Sequence, residues 1–404
     1  MACRRSCRLI VLALLLAAAP AHAVELTGRL SLLGAAAQAR PGDLGYTPGG
    51  DNRQLLDQES LRLMLDDTGK QDEWSLHAKA VRQNAVRYPL TSLGPSDLFR
   101  SDRLSGDWQN DQTASHTTRI RYEIDRAFYK LRAQSITLSV GRQPIDWGSG
   151  RFWQPLNVFG AFAPTDLDTD YKPGIDAAVL AWFPSAFSAL TAVYVPVLNR
   201  QLTTRASGVV HYRRQVGEAS ELQLLAGSVL GDRVAGASFE TDIGGMGWRL
   251  EGRYTTANHG SVFWITGIDY QFGDSTTLTL EWYENSAGAA SEADLARVVN
   301  ERAVRYGLQQ QLGRHVLGVS LNRTITPLLT GNYLLLASGL KNAAGGVSAS
   351  LLHQLSLTYS LSNESDLLFA LLVTTGKGES AAGVPQSEFG HAPASAMLRY
   401  RLYF

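Results

Sequence analysis

The last ten residues, 395-SAMLRYRLYF-404, decide how the rest of the chain is read. Ala396, Leu398, Tyr400, Leu402 and Phe404 alternate with Met397, Arg399, Arg401 and Tyr403. A period of two places one set on each face of a β-strand, so this strand has an oily side and a cationic side. The same pattern recurs upstream. Ile120, Tyr122 and Ile124 alternate with Arg119, Arg121, Glu123 and Asp125, and Trp248, Leu250, Gly252 and Tyr254 with Arg249, Glu251 and Arg253. Leu355, Leu357, Tyr359 and Leu361 follow suit against Ser356, Thr358 and Ser360. Clusters of Gly, Asn, Asp, Ser and Pro separate these runs, as turns between strands require.

The other end of the chain says where it goes. Arg4, Arg5 and Arg8, the apolar run Leu9 to Ala18 and the small-x-small site Ala21-His22-Ala23 read as a secretory signal over 1–23. Residues 24–404 are then the folded domain. Cys3 and Cys7 leave with the signal, which excludes a disulfide scaffold, a Cys-ligated metal centre and a cysteine nucleophile. The full chain balances 37 Lys and Arg against 37 Asp and Glu, so nothing in its charge suggests a nucleic-acid partner. The mature part has no stretch of about 20 apolar residues that could span a membrane as a helix.

A soluble β-sandwich also alternates, but three features favour a membrane barrel. Aromatics gather near the strand ends on the oily face: Trp74, Tyr122, Tyr254, Tyr270, Phe272, Trp282, Tyr400 and Phe404. Tight turns such as Gly273-Asp274-Ser275 alternate with long polar segments at 40–58, 84–116, 285–301 and 376–393. The third feature is the terminal strand itself. An amphipathic final strand ending on an aromatic resembles the assembly signal of Gram-negative outer-membrane β-barrel proteins. That resemblance implies an outer-membrane location, lipid around the wall, and recognition of Tyr400, Leu402 and Phe404 by the barrel-assembly machinery.

At roughly 20 residues per strand with its share of turn, residues 24–404 supply about 19 strands. Single-chain bacterial barrels favour even numbers, so the expected fold is an all-β antiparallel transmembrane barrel of 16–18 strands. The pattern marks nineteen candidate segments, one too many for an even count. Alternation is weakest at 205–214 and 232–240, and a further candidate covers 302–312.

The segment GRQPIDWGSGRFWQPLNVFGAFAPTDLDTDYKPGID, 141–176, interrupts this regularity. Its Pro and Gly content forbids a ladder, while Trp147, Phe152, Trp153, Phe159 and Phe162 argue against disorder. A structured loop of such length demands a purpose. Gly-Arg-Gln at a strand end, Asp-Trp-Gly, a Pro-rich stretch and Gly-Ile-Asp opening the next strand resemble large porin-like outer-membrane barrels. By that resemblance the loop near 142–173 folds inward and narrows a water-filled lumen. Arg142, Asp146, Arg151, Asp166, Asp168, Asp170, Lys172 and Asp176 are the candidate constriction charges. They either face one another across the passage, setting selectivity, or pair to pin the loop to the wall. Arg119, Arg121, Glu123, Asp125, Arg249, Glu251 and Arg253 are the expected lumen-facing charges of the strands. No anion or cation preference follows from them.

Asp166-x-Asp168-x-Asp170 fails as an EF-hand, since Tyr171 stands where Gly is needed and Ala177 where Glu belongs. A solvated acidic turn is the expected reading; a calcium site of another geometry at 166–170 stays open, and no other metal or cofactor is expected. Ser75 and His77 share a strand face, yet a lumen-facing polar pair explains them more simply than catalysis, and nucleophile-elbow, zincin and Walker patterns are absent. The expected function is passive diffusion of small hydrophilic solutes or ions, without enzymatic activity. The alternative is an export or binding barrel for a polymer or hydrophobic compound, or a sheath subunit of an envelope complex. Self-association is left open.

Overall fold

The computed structural model describes residues 24–90, 94–113, 116–198, 205–257 and 260–404. The signal segment 1–23 lies outside the described residues. One antiparallel sheet contains β1 (Glu25–Gln38), β2 (Arg53–Thr68), β3 (Asp72–Val86), β4 (Gln109–Gln112), β5 (His116–Ala133), β6 (Ile136–Gln143), β7 (Ile175–Ser185), β8 (Ser188–Val195) and β9 (Ser207–Val216). It continues through β10 (Ser220–Val229), β11 (Asp232–Ile243), β12 (Met246–Thr255), β13 (Ser261–Gln271), β14 (Thr276–Asn285), β15 (His315–Thr326), β16 (Leu329–Lys341), β17 (Val347–Ser360), β18 (Ser365–Thr375) and β19 (Ala394–Tyr403). Leu30 faces Leu61 of β2 on one side and Leu402 of β19 on the other, so the sheet closes on itself. The short β4 pairs only with β5. The closed wall therefore has 18 strands, within the range expected from the sequence.

Closure leaves no backbone donors facing lipid, the condition for a sheet to cross a bilayer. The side chains sort by face as the alternation requires. Leu61 and Leu63 are 40% and 43% exposed outward, whereas Arg62 between them is buried inside. Tyr122, Tyr254, Tyr270, Phe272, Trp282 and Phe404 are likewise exposed on the outer surface. Among the described residues, no helix is long and apolar enough to cross a membrane. The strands do so instead.

The seam between first and last strands is fixed by the terminal residue. Gly28 and Phe404 exchange both backbone hydrogen bonds, at 2.7 and 3.0 Å. A Cβ on Gly28 would lie 2.3 Å from the Phe404 ring, so the ring fills the space a side chain would occupy. Gly28→Leu is expected to expel the ring and loosen the seam at the turn-rich rim. On unheated gels the variant should lose the compact folded band at a lower temperature than the parent; an unshifted transition would mean the ring does not hold the seam.

Three departures from the sequence reading have physical causes. Segment 302–312 is not a strand: it holds the helical turn Arg302–Arg305 and then Gly307 at φ +69°, which breaks any ladder. Its Val304, Leu308 and Leu312 are four apart, a helical spacing rather than alternation. By contrast, the weakly alternating 205–214 and 232–240 are true strands, β9 and β11. Val209 points inward and is buried while neighbouring Val210 is exposed outward, so an apolar residue breaks the otherwise polar inner face of β9 (Ser207, His211, Arg213) and blurs the alternation. Inside, Leu98, Phe99, Val158 and Phe159 from two loops pack on Val193, Val209, Leu225 and Val234 of the wall, giving that sector an aliphatic inner face. Finally, β3 and β5 lose register at His77, where Arg126 is opposite His77 and Ile124 opposite Ala78. The bulge carries Asp125 as an extra residue and reverses the face of everything after it.

Candidate functional site: an internal belt

The segment between β6 and β7 folds into the barrel and runs around its inner wall, meeting the strands in order. Trp147 stacks on His211 of β9, ring centroids 4.7 Å apart. Ser149 Oγ lies 2.7 Å from Ser238 Oγ of β11. Two acidic residues then hold the backbone. The Glu251 carboxylate of β12 accepts from the amides of Ser149 (2.5 Å), Gly150 (3.3 Å) and Leu156 (2.6 Å). The Glu281 carboxylate of β14 accepts from those of Arg151 (2.8 Å), Phe152 (3.1 Å) and Trp153 (2.9 Å). A loop in this position has backbone donors and no ladder, and carboxylates from the wall satisfy them. Close approach also matters: a Cβ on Gly318 of β15 would meet the Phe152 ring at 2.5 Å.

Further round, Arg399 of β19 donates to the Leu167 carbonyl. Arg29 of β1 donates to Asp168 at 2.7 and 2.8 Å and to Asp170 at 2.8 Å, and Arg401 donates to Asp170 at 2.6 Å. The Tyr171 ring lies against the guanidinium groups of Arg29 (4.9 Å) and Arg62 (4.4 Å). The circuit ends where Arg142 meets Asp176 at 2.6 and 2.9 Å across β6 and β7.

This geometry places each candidate residue. Arg142 and Asp176 are a buried pair that also takes up the Ile124 and Ser101 carbonyls and the Ser101 amide. Asp146 accepts from Lys172 (2.5 Å) and Asn157 (2.6 Å), and Arg151 donates to Asp269 at 3.2 Å. Asp166 accepts from the Ala163 amide at 2.7 Å. Burial pushes the Asp166 carboxyl up, as it does for Asp168 and Asp170, but there the bonds and charges of Arg29, Arg401 and Tyr403 outweigh it and hold both below the ordinary carboxylate range. Of the strand charges, Asp125 takes Arg62 (2.5 Å) and Arg100 (3.0 Å), Arg121 lies 3.5 Å from Asp97, and Glu123 3.4 Å from Arg100. Arg119 packs over Trp108 at 4.1 Å, Arg249 contacts Asp269 and Glu281, and Arg253 lies over Phe263 at 5.8 Å. Ser75 and His77 both bond Asp66, consistent with a polar pair. Tyr400 and Leu402 pair with Leu32 and Leu30 on the outer face.

Arg29, Arg62, Arg100 and Glu388 escaped the sequence reading, and Arg401 and Glu281 lay on the polar faces of their strands without a role assigned. Glu281 carried a usable signal: it is an acid in the middle of a strand whose same-face neighbours, Thr279 and Tyr283, are uncharged. Glu388, in the loop before β19, carried none. Its buried carboxylate accepts from the Leu312 amide at 2.9 Å and from the Gly313 amide, joining two loops above the belt. With its amide turned to satisfy both neighbours, Gln311 donates to Glu388 at 2.8 Å and accepts from Trp153 at 3.1 Å. Burial raises the Glu388 pKa from 4.5 to about 7 against the lowering effect of those two amides. The folded junction therefore keeps a proton that the unfolded chain gives up, and its stability falls as pH rises from about 4.5 to about 7. Hydrogen exchange at the Leu312 and Gly313 amides, corrected for intrinsic rates, should lose protection over that window and become flat in Glu388→Gln.

Solved structures share this architecture. The chain superposes on OccK9 of Pseudomonas aeruginosa with TM-score 0.58 at 12% identity, covering 95% of this chain and 98% of that one. A BenF-like porin from Pseudomonas fluorescens gives 0.58 at 10% identity, with the same 95% and 98% coverage. OccK2 of Pseudomonas aeruginosa, solved in complex with glucuronate, gives 0.56 at 12% identity and again 95% and 98%. No protein-family model and no curated protein sequence matches the chain. The likeness is one of fold: an 18-stranded closed barrel with a lipid-facing apolar wall, built like these outer-membrane porins.

Proposed function

We propose that the barrel is a passive channel through which small hydrophilic solutes cross the outer membrane, with the 142–173 segment as its constriction. The observation that carries this reading is the belt itself. The segment follows the wall through polar anchors on β11, β12, β14, β19 and β1, which narrows the passage while keeping charged groups in it. A conduit for hydrophobic compounds would need an aromatic track, but Trp153 and Phe159 are buried among wall side chains. In planar bilayers the purified protein should give discrete ohmic steps in salt. A silent membrane under conditions where the folded protein has inserted overturns the reading.

Acidic solutes are the favoured class. Arginines gather on one sector of the inner wall: Arg29, Arg62 and Arg401 are paired with acids, but Arg126 on β5 and Arg399 on β19 form no ion pair among the described residues, and such positive charge in a narrow passage raises the local concentration of an anion. The relative with glucuronate bound supports this class. Under a salt gradient the reversal potential should show anion preference, and Arg62→Gln should reduce it.

A further inference from the structure

A second feature lies away from the cationic sector. Beneath the belt, on the side of the tight turns, the β7–β11 wall borders an open cavity of about 480 Å³, within the range of small-ligand sites. A neighbouring cavity of about 380 Å³ shares Arg151, Glu221 and Glu240 with it. On its floor Phe183 faces the cavity with 42% of its surface exposed. No other ring packs on Phe183 among the described residues, whereas Trp147 in the roof is fixed between His211 and Phe159.

The polar groups around that ring have capacity to spare. Glu281 and Asp269 hold Arg151 through its amide and Nε, leaving both terminal nitrogens for the cavity. Glu240 feels the charge of Arg249, but its side chain makes no hydrogen bond among the described residues. Arg213 and Glu221 stand 3.7 Å apart, longer than a hydrogen bond, and Glu221 accepts from Gln223 at 2.9 Å through its other oxygen. Two guanidinium groups and three carboxylates line the space, and since the third, Asp146, is already taken by Lys172 and Asn157, the free guanidinium and carboxylate groups balance and a ligand of single charge gains little from them. Hydroxyl groups can use both, accepting from the arginines and donating to the glutamates, while a C–H-rich ring face covers the exposed phenyl.

We propose that this cavity is a binding subsite for a neutral polyhydroxylated solute, a sugar ring resting on Phe183 with its hydroxyls shared between Arg151, Arg213, Glu221 and Glu240. The proposal rests on the channel reading for its role but not for its test. Binding of D-glucose is measured by calorimetry on the full barrel in a polyoxyethylene detergent, which contains no sugar, with glycine as a zwitterionic comparison. The parent should bind glucose and prefer it to glycine. Phe183→Ala and Glu240→Ala should each bind about tenfold more weakly, the loss of one ring contact or one charge-assisted bond. Both positions are at least partly exposed, and an unchanged thermal transition confirms that each variant folds. No glucose binding, preference for glycine, or equal binding by the variants overturns the subsite. Parallel bilayer recordings keep the two claims apart: glucose binding by a protein that does not conduct retains the subsite and removes the channel, and conduction without glucose binding does the reverse.

Discussion

Glu281→Ala is expected to release the belt from the wall and raise single-channel conductance, with noisier open states than the parent. The Glu281 carboxylate is fully enclosed and accepts from three consecutive amides, those of Arg151, Phe152 and Trp153. It also stands 3.7 Å from Arg249, itself buried. Removing it leaves three donors without acceptors, each costing about 1–3 kcal/mol if it stays dry. Removing one partner of a buried charge pair typically costs about 3–5 kcal/mol. The ladder of β13, β14 and β15 is untouched, so the wall persists and the loop gives way. Glu281→Gln keeps the shape and one acceptor and should fall between parent and alanine variant. Equal conductance and equal thermal stability in all three proteins would show that the belt is held elsewhere.

The second large effect concerns selectivity. Asp168→Asn with Asp170→Asn removes the carboxylates that neutralise Arg29 and Arg401. Both aspartates are part-exposed, so their contribution to stability is smaller than that of Glu281, about 1–3 kcal/mol for the charge-assisted bonds. The electrical consequence is greater. Arg29 loses its acidic partners and Arg401 keeps only Asp366 where the belt crosses the cationic sector, and the reversal potential should move further toward anion preference. Because the arginines hold both carboxyls below their ordinary range, the parent pairing persists across neutral and mildly acidic pH and fails only on stronger acidification. A reversal potential that does not move assigns these residues to anchoring alone, with the current passing elsewhere.

The candidate charges of 142–176 illustrate how a sequence reading can name residues without naming partners. The reading left open whether Asp168 and Asp170 face a passage or pin the loop. Their partners are Arg29 and Arg401, 139 and 231 residues away, and no local pattern connects them. Glu251 and Arg249 were read alike as lumen-facing charges. Glu251 instead receives loop amides, whereas Arg249 pairs with Asp269 and Glu281. The misplaced strand at 302–312 and the hesitant reading of β9 and β11 share a cause. Alternation reports the polarity of the two faces only where one side meets lipid and the other water, and in that sector protein fills the interior.

The sequence by itself determined the membrane-spanning barrel, its approximate strand number, its one rim of tight turns and the closing strand. These follow from a requirement felt residue by residue: lipid accepts only apolar side chains, and a strand turns every second one toward it. Tertiary structure alone decided the route of the belt, the pairing of its acids, the bulge at Asp125 and the cavity under Trp147. Each depends on which residues closure brings face to face across the lumen, and that geometry exists only once eighteen strands have joined into a ring.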